Sequence, residues 1–200
     1  MGEINHEIGR AGAGGGLLKT GQTTQYGGYE DDGYFEKGLS KLYTILTAGQ
    51  YAGTTDITLN AKTDVHSNNC VYDQRTKLMW SRYLAGSVGP TSDGLLPWTT
   101  NVDGEGIFAY ADAANAAELA GYDDWRVPNI LELESLRDLE QPTSVPDPTA
   151  FPTWPTGQYY WSSTTNPANT AHAVPAYFTH PYIYPAEKTS NFYSILVRGG

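Results

Sequence analysis

Residues 107–136 restrict this chain's architecture more than any other stretch. Seven alanines lie between Ala109 and Ala120, and alanine loses no side-chain entropy on entering a helix. A helix from Ile107 to Ala120 is expected, with Gly121 where a left-handed C-terminal cap is wanted. An alanine face lets another element approach closely, so this helix should pack against sheet. Gly121 to Pro128 then makes a tight connection. Asn129 is placed to cap a second helix, with Glu132 three residues on to complete a capping box. Ile130, Leu133 and Leu136 give that helix one apolar stripe, and Pro142 should stop it.

Strand signals flank the helices. Leu39 to Leu46 is apolar but too short for periodicity to choose between helix and strand. Ile57 to Leu59 reads as a short strand. Val71 to Asp73, a turn at Gln74 to Thr76, and Leu78 to Trp80 read as a hairpin, with Met79 and Trp80 in the core. Residues 83–106 read as loop around Trp98, and 142–157 as Pro-rich loop. Tyr159, Tyr160 and Trp161 open a further strand, and Tyr193 to Arg198 form the last, returning to the first ones. Helices gathered mid-chain between strands give an α+β fold with two helices and short antiparallel strands, rich in loops. Residues 1–16 end in AGAGGG and read as a flexible connector, leaving 17–200 as one domain.

Composition narrows the function classes. A formal net charge of -10 argues against nucleic acid or an anionic membrane as partner, since both reward clustered Lys and Arg. No apolar run approaches the roughly 20 residues of a membrane span, so no membrane insertion is expected. The opening MGEINHEIGR lacks a charged-then-apolar leader pattern, which fits either a fragment or a protein exported without a cleaved leader. Cys70 is the single cysteine, which excludes an intrachain disulfide and a thiolate zinc cluster and leaves it as a small buried hydrophobe. Asp31 and Asp32 read as a solvated turn before a calcium site. No Ser-His-Asp spacing, phosphate-cradling Gly loop or zinc helix is present, so neither cofactor nor enzymatic activity is expected.

The C-terminal segment, about 159–200, is where function is expected. Between Ser162 and Ala186 there is no Asp, Glu, Lys or Arg; Tyr, Asn, Ser, Thr, His and Pro stand instead. That mixture suits a binding surface: Tyr offers large area with few rotatable bonds, and short polar residues adapt their hydrogen bonds. The contact candidates are Asn166, Asn169, His172, Pro175, Tyr177, Thr179, His180, Tyr182, Tyr184, Asn191 and Phe192. Were Ala173 to Tyr184 extended, Tyr177, Thr179, Pro181 and Ile183 would face oppositely to Phe178, His180, Tyr182 and Tyr184. One face must pack, with Phe178 as its core anchor. His172 and His180, with no acid nearby, read as solvated or hydrogen-bonded residues and not as metal ligands. Asp123 and Asp124 read as structural, with Asp124 or Arg126 satisfying backbone groups around a buried Trp125.

KLMW at 77–80, AELAGYDDWRVPNILELESL at 117–136, YYWSST at 159–164 and LVRGG at 196–200, in that order, resemble the Lcl C-terminal domain family. LLKTGQTTQY at 17–26 is similar to the start of its longer members. The resemblance implies a C-type-lectin-like fold. It also implies a likeness to the variable proteins of diversity-generating retroelements, whose ligand-contacting positions near the C-terminus are diversified by adenine-directed mutagenesis. Val174, Pro175 and Pro181 depart from the family's pattern. Calcium-dependent sugar binding is not implied: Val127-Pro-Asn129 lacks the acid of the lectin Glu-Pro-Asn triplet, and Trp-Asn-Asp is absent. EINHEIGRA also resembles a phrase that precedes the receptor-binding ends of phage fibre proteins. Together these lead to a non-catalytic, receptor-binding protein on a virion surface or in the extracellular space. It would attach to an unknown protein or glycan ligand of a host or cell, as a homo-oligomer, for instance a trimer. The alternatives are a carbohydrate-active or modifying enzyme using Asp123, Asp124 and the tail histidines, and a purely structural fibre tip.

Overall fold

The computed structural model describes residues 22, 24, 41–46, 70–82, 94–99, 105–141, 143, 145–152, 154–180 and 184–199. The expectations for residues 1–16, Asp31, Asp32 and Ile57 to Leu59 lie outside these. Among the described residues the strands are β1 (Tyr43–Leu46), β2 (Cys70–Asp73), β3 (Leu78–Ser81), β4 (Leu95–Pro97), β5 (Tyr159–Thr165), β6 (His172–Tyr177), β7 (Ala186–Glu187), β8 (Asn191–Tyr193) and β9 (Val197–Gly199). Two α-helices, α1 (Ile107–Ala116) and α2 (Ile130–Glu134), lie between β4 and β5. The α+β expectation holds. One sheet runs β1-β2-β3-β9 and the other β4-β8-β5-β6-β7. All pairings are antiparallel except β5 with β8, which run parallel.

The β2–β3 hairpin forms where the sequence places it. Asp73 closes the turn, its carboxylate accepting from the Arg75 amide and the Thr76 hydroxyl, both at 2.8 Å. Every residue of β2 and β3 is buried, because both faces of this hairpin are covered. Cys70, Tyr72 and Met79 pack into one cluster, with Tyr110, Ala111 and Ala114 of α1. Val71, Leu78 and Trp80 pack into the other, with Leu133 of α2 and Leu136 just beyond it. The second sheet splits the same way, Trp161 facing the first cluster and Tyr160 the second. Each buried aromatic side chain of this kind contributes roughly 2–3 kcal/mol of transfer free energy. The β layer thus separates two cores, each with its own helix.

Several boundaries differ from expectation. Helix α1 ends at Ala116 and not at Ala120, because Asn115 turns its amide to the backbone of Trp125. It accepts from the Trp125 N–H at 2.6 Å and donates to the Trp125 carbonyl at 2.9 Å. The indole of buried Trp125 donates in turn to the Leu119 carbonyl at 2.8 Å, wrapping residues 117–121 around itself. The backbone work around Trp125 expected of Asp124 or Arg126 is therefore done by Asn115. Asp124 pairs with Arg198 at 2.5 Å, and Arg126 makes a fork on Glu132 at 2.8 and 2.7 Å. The capping box of α2 is present in both directions. Yet α2 ends at Glu134, well before Pro142, where the Ser135 hydroxyl donates to the Glu132 carbonyl at 2.6 Å.

The loop expected over 83–106 contains β4, which pairs with β8. The strand expected from Tyr193 to Arg198 is broken: buried Ser194, Ile195 and Leu196 carry the chain from the second sheet into the first. Ser81 seats that crossing, its hydroxyl accepting from the Leu196 N–H at 2.9 Å. The return of the last strand to the first ones holds, as β9 pairs with β3.

Candidate functional site

Strand β6 stops at Tyr177, so the expected alternation does not continue over Phe178, Thr179 and His180. Its end is fixed from the α2 side. The Arg137 guanidinium donates to the carbonyls of Phe178 (2.6 Å) and Tyr177 (3.1 Å) while gripping Glu134 at 2.7 and 2.9 Å. Phe178 is buried, as expected of the anchor, edge-on to Trp154 and Tyr160. With Phe178 pinned inward, the residues on either side of it are held at the surface.

On the opposite face of the second sheet, β8, β5 and β6 bring four rings into a row. Phe192 lies 4.9 Å from Tyr159, Tyr159 lies 4.6 Å from Tyr177, and Tyr177 lies 5.7 Å from His180, measured between centroids. The Tyr177 and His180 rings are parallel to within 1°. Inward along the same face, Phe192 rests 4.6 Å from Trp161. Trp161 is fully buried, and its indole N–H donates to the Leu96 carbonyl at 3.0 Å. Phe192, Tyr159 and Tyr177 are half-buried and His180 is exposed. Gly157 leaves room here: a side chain at that position would begin 4.0 Å from the Tyr177 hydroxyl. The row therefore rests at its Phe192 end on buried Trp161, and its members remain partly open along the outer rim.

Of the contact candidates, Tyr177, His180 and Phe192 come together in this row. Tyr159 is the member that the sequence reading passed over. Its alternation with buried Tyr160 was the available signal, since neighbours along a strand face opposite ways. Asn166, Asn169 and His172 sit at the far end of the β5–β6 hairpin, about 20 Å away at roughly 3.3 Å per residue. There Asn166 and Asn169 use their side-chain oxygens to hold the turn, accepting from the Ala168 and Ala171 amides at 3.1 Å. His172 is half-buried with Nδ1 enclosed and unpartnered. Thr179 is half-buried with its hydroxyl likewise enclosed. Tyr184 is 64% exposed. Asn191 is exposed and points away from Phe192, its neighbour on β8. Pro175 corrects the candidate set: it is buried, paired across the sheet with Trp161, and out of a ligand's reach. Tyr182 lies outside the described residues.

Two cations of the sheets are already engaged. Lys188 lies 3.7 Å over the Trp98 ring and bonds the Thr165 hydroxyl at 3.0 Å. Arg198 is stacked 3.6 Å over Tyr122 and paired with Asp124. Among the described residues no three His, Cys, Asp or Glu side chains converge. His172 and His180 lie toward opposite ends of β6, and Asp124 is bound to Arg198. Burial also perturbs an amine away from the row. Lys41 has its pKa lowered to about 8 by burial, a fall that Asp138, Asp73 and Asp147 partly oppose. Its amine donates to the carbonyl of Leu136 at 3.0 Å and to that of Arg137, bracing the segment that follows α2.

Residues 69–198 match the family model described as the Lcl C-terminal domain. No curated protein matches the chain.

Proposed function

The chain belongs to the Lcl C-terminal domain family, and from that premise we propose that it is a non-catalytic ligand-binding module. The contact surface in this reading is the ring row of Phe192, Tyr159, Tyr177 and His180. The observation that carries the reading is the seating of these rings. They stand partly exposed, Phe192 against buried Trp161 and the first cluster and Tyr177 on backbone clamped by Arg137, so their outer rim can be exchanged with little disturbance of the core. Large rigid side chains over a desolvated base are what a binding hot spot needs. The family resemblance supplies the rest of the proposal. The fold is of the C-type-lectin type, and the segment between Asn166 and Ser194 is a diversified region of a retroelement variable protein. The protein is displayed on a virion or in the extracellular space for host attachment. Weak single sites would gain avidity from several copies, which favours a homotrimer.

Comparison of several copies from one genome tests this. Substitutions should cluster between Asn166 and Ser194 at outward positions such as Tyr177, His180 and Asn191, and spare Pro175, Phe178 and Ser194. The neighbouring DNA should hold a reverse transcriptase and a near-copy of the tail's coding region that differs at adenines. Substitutions scattered evenly through helices and tail would defeat the proposal.

A further inference from the structure

The way the rings of the row meet one another bears on what they can hold. Tyr159 is flanked on one side by Phe192, at an interplanar angle of 28°, and on the other by Tyr177, at 34°. Tyr177 is flanked by Tyr159 and His180, and Phe192 by Tyr159 and Trp161. Tyr159, Tyr177 and Phe192 therefore each have two ring neighbours inclined by 39° or less, an arrangement that turns faces toward one another and edges toward solvent. An aromatic ring is negative on its face and positive at its edge. A saccharide stacks by laying its C–H groups on an open, negative face, and rings turned toward one another in this way leave little such face along the row. Ring edges and tyrosine hydroxyls match other groups better, namely aromatic and amide faces met edge-on and carbonyl oxygens.

We propose that the partner of this row is a protein surface and not a saccharide, one that presents aromatic side chains and backbone carbonyls to the ring edges. The inference rests on the reading of the row as the contact surface. Charge plays little part in it, since the segment from Ser162 to Ala186 carries no Asp, Glu, Lys or Arg, and Lys188 and Arg137 are spent inside the protein. Affinity should then depend weakly on ionic strength.

The test uses the full chain and two sets of probes. A phage-displayed random peptide library is panned against the protein. Separately, neutral pyranose oligosaccharides are examined for saturation transfer from the ring protons of Tyr159, Tyr177 and Phe192. The expected result is enrichment of uncharged, aromatic-containing peptides. Their affinity should fall about tenfold or more in Y177A and in Y159A, less in Y177F, and change less than about twofold between low and high salt. H180A, at an exposed position, and circular dichroism of every variant separate loss of contact from loss of fold. Saturation transfer to an oligosaccharide, with no peptide dependent on the rings, would overturn the partner class while keeping the row as the site. Peptides that bind equally well to the alanine variants, or no enrichment with either probe set, would overturn both this inference and the proposed contact surface.

Discussion

Replacing Arg137 with methionine should loosen the row without touching a ring of it. The side chain makes two hydrogen bonds to the carbonyls of Phe178 and Tyr177, at 2.6 and 3.1 Å, and lies 5.1 Å over the Phe178 ring. A hydrogen bond from a charged donor is worth about 1.5–3 kcal/mol. Phe178 is 2% exposed, so its carbonyl would be poorly rehydrated, whereas half-buried Tyr177 can recover water. Counting one bond in full and the other in part gives a loss of about 2–4 kcal/mol. The partner Glu134 is 26% exposed at the side chain, so its own pairing adds only about 0–1 kcal/mol. Urea denaturation of R137M, R137K and E134Q should therefore rank R137M as the most destabilised, R137K between, and E134Q close to the parent. Amide exchange should accelerate first at residues 176–180. An E134Q loss equal to that of R137M would show that the ion pair, and not the carbonyl clamp, holds the strand end. R137M within about 0.5 kcal/mol of the parent would refute the clamp altogether.

Three further outcomes follow from the frame. N115A strips the Trp125 N–H and carbonyl of their partners, at about 1–3 kcal/mol for each group left unsatisfied. A melting temperature lowered by several degrees in calorimetry would agree with that, and an unchanged one would count against it. N129A removes the oxygen that accepts from Leu131 and Glu132 and should cost about 1 kcal/mol in chemical denaturation; a neutral result would mean that the capping box is idle. Lys41 binds its proton less tightly folded than unfolded, so the unfolded chain holds more protons between about pH 8 and the ordinary lysine value of 10.5. Stability should rise with pH across that window, and K41M should lack the part of the rise due to this amine. Parallel pH curves for parent and K41M would contradict the burial of the charge.

Local chemistry sufficed where the partners lie close together in the chain. Asn129 and Glu132 lie three apart and need only each other, so the capping box was legible from the residues alone. The β2–β3 hairpin was legible for the same reason, since Asp73 closes its turn with residues two and three further on. Strand β4 was not: Leu95–Pro97 has no strand-like run of its own and gains its ladder from Asn191–Tyr193, far along the chain. The ring row was half legible. An uncharged, tyrosine-rich tail motivates the proposed contact surface, but which rings stand together depends on a strand pairing that sets Tyr159 beside both Tyr177 and Phe192.

By itself the sequence determined the α+β class, the two helix starts, the first hairpin, the buried anchors and the uncharged, tyrosine-rich character of the tail. Each of these follows from residues close in the chain or from the kind of side chain present. Only the tertiary structure decided where α1 and α2 stop, how residues 194–196 pass between the sheets, that Pro175 is buried, and that Tyr159 completes the row. Those outcomes turn on hydrogen bonds and ring contacts between residues distant in the chain, such as the Arg137 clamp on Tyr177 and Phe178, and no local propensity encodes them.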